Sequence, residues 1–154
     1  MHKIILFITL FYINTSTGQE INSDKVSLIN FVNRMYTSTP FDGVKIMDDY
    51  DHQYLVSVLS LYKAKYTNPS IMNRVAQVKA QSQANTFLNG ATISMEIVIK
   101  TTEQKTKDSN NTLVETIESI KQNSMGFSQG LELLTNFDNT DNNRMVFIYY
   151  RKIK

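Results

Sequence analysis

Asp48, Asp49, Asp51 and His52 put three carboxylates and an imidazole within five residues. Such a group suits a hard or borderline metal ion, or acid–base work on a substrate. Aspartate is equally favoured in turns, where its side chain bonds nearby backbone, and the spacing matches no established metal motif. Asp138-Asn139-Thr140-Asp141-Asn142-Asn143 resembles a calcium loop at first sight. Counted from Asp138, however, Thr140 stands where an acid or amide belongs, Asn143 where glycine belongs and Tyr149 where glutamate belongs. A polar turn is expected there. Gly126-Phe127-Ser128-Gln129-Gly130 has the letters of a nucleophile elbow. That device needs a buried strand before it and a histidine after it, and no histidine follows Ser128. The tyrosines Tyr54, Tyr62, Tyr66, Tyr149 and Tyr150 could line a groove for a ligand or peptide, or pack amphipathic strands.

Composition narrows the chemistry further. The 154 residues contain no cysteine, which removes disulfides, thiolate metal sites and cysteine nucleophiles. His52 is the only histidine after His2. Five glycines and no Gly-x-Gly-x-x-Gly or Walker pattern make a phosphate-cradling loop unexpected. No residue is assigned a catalytic, cofactor-binding or metal-ligating role, and no cofactor is expected. Basic and acidic residues number 16 and 14, without a run of five like charges, so nucleic acid is not an expected partner.

The first eighteen residues set the expected destination. Met1-His2-Lys3 is a short positive start, Ile4 to Ile13 carries no charge, and Asn14 to Gly18 is small and polar. These are the three regions of a secretory signal peptide, with cleavage expected before Gln19. The apolar run is half of the roughly 20 residues that a membrane span requires. Residues 19–154 would then form one domain without a transmembrane segment, carrying 15 basic and 14 acidic residues. An exported chain without cysteine fits a bacterial envelope better than a disulfide-stapled eukaryotic secretome.

The elements that must position the candidates follow from periodicity. Val26, Ile29, Val32 and Met35, with Leu28 and Phe31, have helical spacing over 24–38, and Ser23 or Asp24 offers a cap. Val44 to Met47 and Gln53 to Tyr62 read as a hairpin whose second strand is apolar on both faces and therefore central. The Asp48–His52 cluster would be its turn. Asn68-Pro69 opens a helix over 69–89, striped by Ala76, Ala80 and Ala84, with Gly90 as a left-handed cap. Residues 91–102 alternate as an antiparallel strand, 103–111 read as a loop, and 112–123 read as a helix or, alternatively, a long edge strand. Gly126 and Gly130 flank a strand entry, and residues 131–137 and 145–150 form a closing hairpin.

Ala76, Ala80, Ala84, Phe87, Leu88 and Gly90 running into Thr92–Ile99, then a glycine-containing segment and the terminal Met145–Tyr150 strand, form a pattern over residues 69–152. It resembles the small exported proteins related to flagellar-assembly lipoproteins. The resemblance implies an alanine-striped helix on an antiparallel sheet and implies no catalytic residues. Members of that family often carry a lipidated cysteine, which this chain lacks.

The expected fold is a single α+β domain, a mostly antiparallel sheet with the 69–89 helix across one face. The expected function is that of a non-catalytic exported protein binding a protein or other partner of the cell envelope or extracellular space. The alternative is a small metal-dependent or carboxylate-based hydrolase using the Asp48–His52 cluster. The two readings part on whether Asp48, Asp49, Asp51 and His52 converge on a pocket or splay apart.

Overall fold

The computed structural model describes residues 23–49, 52–90, 98–100 and 124–153. The expected signal peptide, residues 91–97 and 101–102 of the expected 91–102 strand, the 103–111 loop and the 112–123 segment lie outside the described residues. In chain order the elements are α1 (Ser23–Ser38), β1 (Gly43–Asp49), β2 (His52–Tyr62), α2 (Pro69–Gly90), β3 (Val98–Lys100), α3 (Ser124–Gln129), β4 (Glu132–Asp138) and β5 (Arg144–Lys152). A short 3-10 turn at Lys63–Lys65 follows β2. The five strands form one sheet in the order β3-β1-β2-β5-β4. This is the α+β architecture expected from the sequence. No helix among the described residues is long and apolar enough to cross a membrane.

β2 is the middle strand, and its alternation decides the layering. Leu55, Leu59 and Leu61 face one side; Tyr54, Val56 and Val58 face the other. β5 repeats the pattern with Phe147 and Tyr149 against Val146 and Ile148. Two apolar faces need two covers. α2 covers the first face with Met72, Ala76, Ala80, Ala84 and Leu88, spaced four apart and all buried. α1 covers the second with Leu28 and Val32. The expected apolar face of α1 thus shifts: Val26, one of its spaced residues, is 43% exposed. Overlapping three- and four-residue spacings define a broad stripe, and the sheet takes the Leu28–Val32 line of it.

Local chemistry fixes the ends of the elements. The backbone N–H of Ile71 donates to Asn68 Oδ1 at 2.9 Å, so Asn68 caps α2 and Pro69 takes its first position, as expected. Gly90 departs from expectation: it is the last residue of the helix, not a left-handed residue after it. In α1, Thr37 and Ser38 hydroxyls donate to the carbonyls of Asn33 and Arg34, and Pro40 follows. The β4–β5 turn is closed by Asn139, whose Oδ1 accepts from Arg144 N at 3.1 Å, while Asn142 adopts φ 55°.

Two more expectations are corrected. β3 lies parallel to β1, pairing Ile46 with Val98 and Asp48 with Lys100, and is not antiparallel. Alternation reports which faces of a strand are buried and carries no information on direction. The segment bounded by Gly126 and Gly130 is the short helix α3, not a strand entry. Arg151 of β5 holds it: its guanidinium donates to the carbonyls of Gly126, at 3.0 Å, and Phe127, and lies 4.3 Å from the Phe127 ring centroid. A Cβ at Gly130 would meet this guanidinium, 2.6 Å from Cζ, so the bare backbone there makes room for the clamp.

Ala80 is fully buried where α2 meets β2, and its carbonyl accepts from Ser57 Oγ at 3.3 Å. Ala80→Leu is therefore expected to lower stability by roughly 1–3 kcal/mol through overpacking. Urea denaturation of both proteins measures this, and an unchanged midpoint would contradict close helix–sheet contact.

Candidate functional site

The β1–β2 register separates the acidic cluster. Asp48 pairs with Gln53, and Asp49 pairs with His52. These residues sit within strands, not in a long turn, because hairpin pairing extends to the last residue before Tyr50-Asp51. Asp51 lies outside the described residues. Successive strand side chains point to opposite faces, so Asp48 goes to the α2 face and Asp49 to the α1 face. Asp48 is only 3% exposed and its Oδ1 accepts from Gln53 Nε2 at 3.4 Å. His52 turns toward α1, with Nε2 3.6 Å from Asp24 Oδ2. Among the described residues, no group of three or more His, Cys, Asp or Glu side chains gathers in a geometry that could hold a metal ion.

The other sequence candidates resolve individually. Ser128 is 2% exposed in the last turn of α3, and its hydroxyl donates to the Met125 carbonyl at 3.0 Å. Asp138 pairs with Lys63 Nζ at 2.6 Å, and Asn139 spends its side chain on the hairpin turn. Tyr149 points under α2, its hydroxyl donating to the Asn73 carbonyl at 3.4 Å. Tyr66 packs against the same core. Tyr62 lies at the far end of β2, beneath the Arg144 guanidinium, whose Cζ is 3.8 Å from the ring centroid.

Tyr54 and Tyr150 do come together, and His52 joins them. The Tyr54 and Tyr150 centroids are 6.0 Å apart, and the His52 and Tyr54 centroids 6.1 Å. With Asp24, Lys25, Leu28 and Lys152 they line an open cleft of about 150 Å³. Strand register builds it: Val56 faces Tyr150 across the β2–β5 ladder and Tyr54 faces Lys152, so the two tyrosines are diagonal neighbours on one face. The first turn of α1 closes the cleft with Asp24 and Lys25, the Lys25 ammonium 5.7 Å from the Tyr150 centroid. Aromatic faces between ammonium and carboxylate groups can stack on a flat or apolar ligand group while holding polar atoms at its rim.

The same surroundings raise both phenols. Burial pushes the Tyr54 hydroxyl above its usual value, with the charges of Asp49 and Asp24 adding to the shift. Burial also raises Tyr150, with help from Glu132. Half of this group was open to sequence reasoning. The tyrosines and His52 stand out by type, but their union depends on pairing between strands far apart in the chain, which no local pattern specifies. Asp24 and Lys25 carry no signal beyond a helix start.

Comparison of the chain with protein-family models, with curated proteins and with solved structures finds no match.

The raised phenols set an alkaline limit. A folded-state pKa above the unfolded value of about 10 favours the neutral form. The associated stability is complete below that unfolded value and is lost as pH rises through the folded values. Tyr36, Tyr54, Tyr149 and Tyr150 all shift in this direction. Titration of the phenolate absorbance should therefore show a class of tyrosines that ionises later than a free phenol, whose pKa is about 10. The denaturation midpoint should fall across the same pH range. Tyrosines that all ionise at the free value would contradict the burial of these rings.

Proposed function

We propose that the chain is an exported, non-catalytic binding protein of the cell envelope or extracellular space that holds its partner at the Tyr54–Tyr150 cleft. The observation that carries this reading is the pair of tilted phenol rings 6.0 Å apart, flanked by His52, Lys25, Lys152 and Asp24 in one open cleft. Tyrosine supplies large contact area at small cost in side-chain freedom, which suits recognition. Catalysis finds less support in the same residues. His52 and Asp24, 3.6 Å apart, have the types of a base and its orienting group, yet no serine, threonine or cysteine is among the described residues that line their cleft to serve as the nucleophile. Paired-carboxylate chemistry needs two acids about 5–9.5 Å apart across a cleft, and Asp48 and Asp49 leave their strand on opposite faces. Export rests on the charged start, apolar core and small-residue exit of residues 1–18, and on the resemblance over residues 69–152.

Three measurements test this reading. Mass spectrometry of protein recovered from outside the cytoplasm should give a chain beginning at Gln19; a retained Met1 would count against export. Zinc, calcium and magnesium should leave the melting temperature unchanged. A rise of several degrees with one metal, abolished by His52→Ala or Asp49→Ala, would favour a metal-dependent hydrolase instead. Finally, a partner retained from envelope extracts by the wild-type protein should be lost with Tyr150→Ala at matched thermal stability. Equal retention by both proteins would remove the cleft from recognition.

A further inference from the structure

β4 is an outer strand of the sheet, and among the described residues no strand lies on its far side. Glu132, Leu133, Asn136 and Asp138 are exposed along it. Natural sheets guard such edges with lysine, proline or a bulge. β4 has neither lysine nor proline, and its two charged residues, Glu132 and Asp138, stand at its ends. Its bulge falls between Leu133 and Thr135, which leaves Thr135 to Asp138 in unbroken register with β5. That stretch runs into a cleft of about 340 Å³ between the C-terminal end of α1 and the β4–β5 turn. Tyr36 and Phe137 wall it, their rings edge to face with centroids 5.5 Å apart. Asp138 and Asp141 stand at its rim. Lys63 pairs with Asp138, whereas Asp141 has no ion pair among the described residues.

We propose that this edge takes an extended basic peptide segment: the segment adds a strand along Thr135–Asp138 and places a lysine or arginine in the Tyr36–Phe137 cleft beside Asp141. The assignment goes beyond the proposed function and does not rest on it: it adds a second binding surface, separate from the Tyr54–Tyr150 cleft, with its own partner chemistry. Main-chain hydrogen bonds to an open edge supply affinity in this mode, and a side-chain pocket supplies selection. Two aromatic rings and a carboxylate suit a cation, which gains from ring faces as well as from charge. A second copy of this strand is a poorer occupant. Antiparallel pairing about the middle of β4 would set Glu132 of one copy near Asp138 of the other, and like charges across a ladder repel.

The test uses the purified protein and a fluorescein-labelled, capped peptide of seven residues that alternates threonine with valine and ends in lysine. Anisotropy should show saturable binding that weakens as salt rises. Exchanging the terminal lysine for glutamate should weaken binding about tenfold. Asp141→Asn should weaken it about threefold, and Asn136→Lys should weaken it further, both at unchanged melting temperature. Tyr150→Ala should leave it unchanged. Equal binding of the glutamate peptide, or no saturation at millimolar peptide, would overturn the proposal. So would loss with Tyr150→Ala alone, an outcome that leaves the Tyr54–Tyr150 cleft as the recognition surface. A concentration-dependent dimer abolished by Asn136→Lys, without peptide binding, would overturn it in favour of self-pairing.

Discussion

The two apolar faces of β2 are the constraint on which the rest of the structure depends. Every residue from Gln53 to Leu59 is buried, so neither face of the strand can meet water. β1 and β5 flank it and carry the same alternation outward, and the sheet becomes a slab that must be covered twice. α2 and α1 supply the covers, one per face. Deleting Phe147, Ile46 or Val56 from such a slab would open a space that neither rigid layer could close, because each is held by contacts along its length. The cost of exposing either face also explains why α1, whose hydrophobic stripe is diffuse, still finds one line of contact.

The two aromatic clefts are a by-product of this layering. A helix laid across a twisted sheet leaves wedges at its two ends, where the helix surface and the sheet diverge. At the first end of α1, the wedge is lined by His52, Tyr54 and Tyr150; at the second, by Tyr36 and Phe137. Both wedges are lined by aromatic rings because large side chains are what the margin of an α1-sized cover leaves half buried. The acidic cluster, by contrast, is divided by the sheet itself. Adjacent residues of a strand share sequence but not a face, so Asp48 is enclosed beneath α2 while Asp49 joins the α1 side.

Much of the architecture was legible because it is written in short-range chemistry. Asn68-Pro69 marks a helix start by capping and by a fixed φ, and the alternation of Tyr54 to Leu61 marks a strand buried on both sides. The polar run after Asp138 marks a turn that Asn139 closes. What escaped the sequence depends on partners far along the chain. A free edge of β1 accepts a strand of either direction, so the parallel pairing of β3 follows from the path of the chain and not from the residues of β3. The helix Ser124–Gln129 is held by Arg151 from the last strand and by Asn89 of α2, partners that no local pattern reveals. The meeting of Tyr54 with Tyr150 depends on the β2–β5 ladder. Types and spacings name candidate residues well; the juxtaposition of two candidates is a property of the ladder between them.

The alanine line of α2 has one more consequence. Ala76, Ala80 and Ala84 present an almost featureless track over the middle of the helix, and the large side chains of the same line, Met72 and Leu88, lodge against the sheet only at its two ends. A few polar contacts off the track peg its axial position further. Ser57 meets the Ala80 carbonyl and Gln83 near the middle, Tyr149 meets the Asn73 carbonyl toward the start, and Ser124 meets Asn89 at the end. The helix is thus smooth only in its middle, and is located by its ends and by these dowels. Separate groups therefore govern how tightly it is held and where along the sheet it rests.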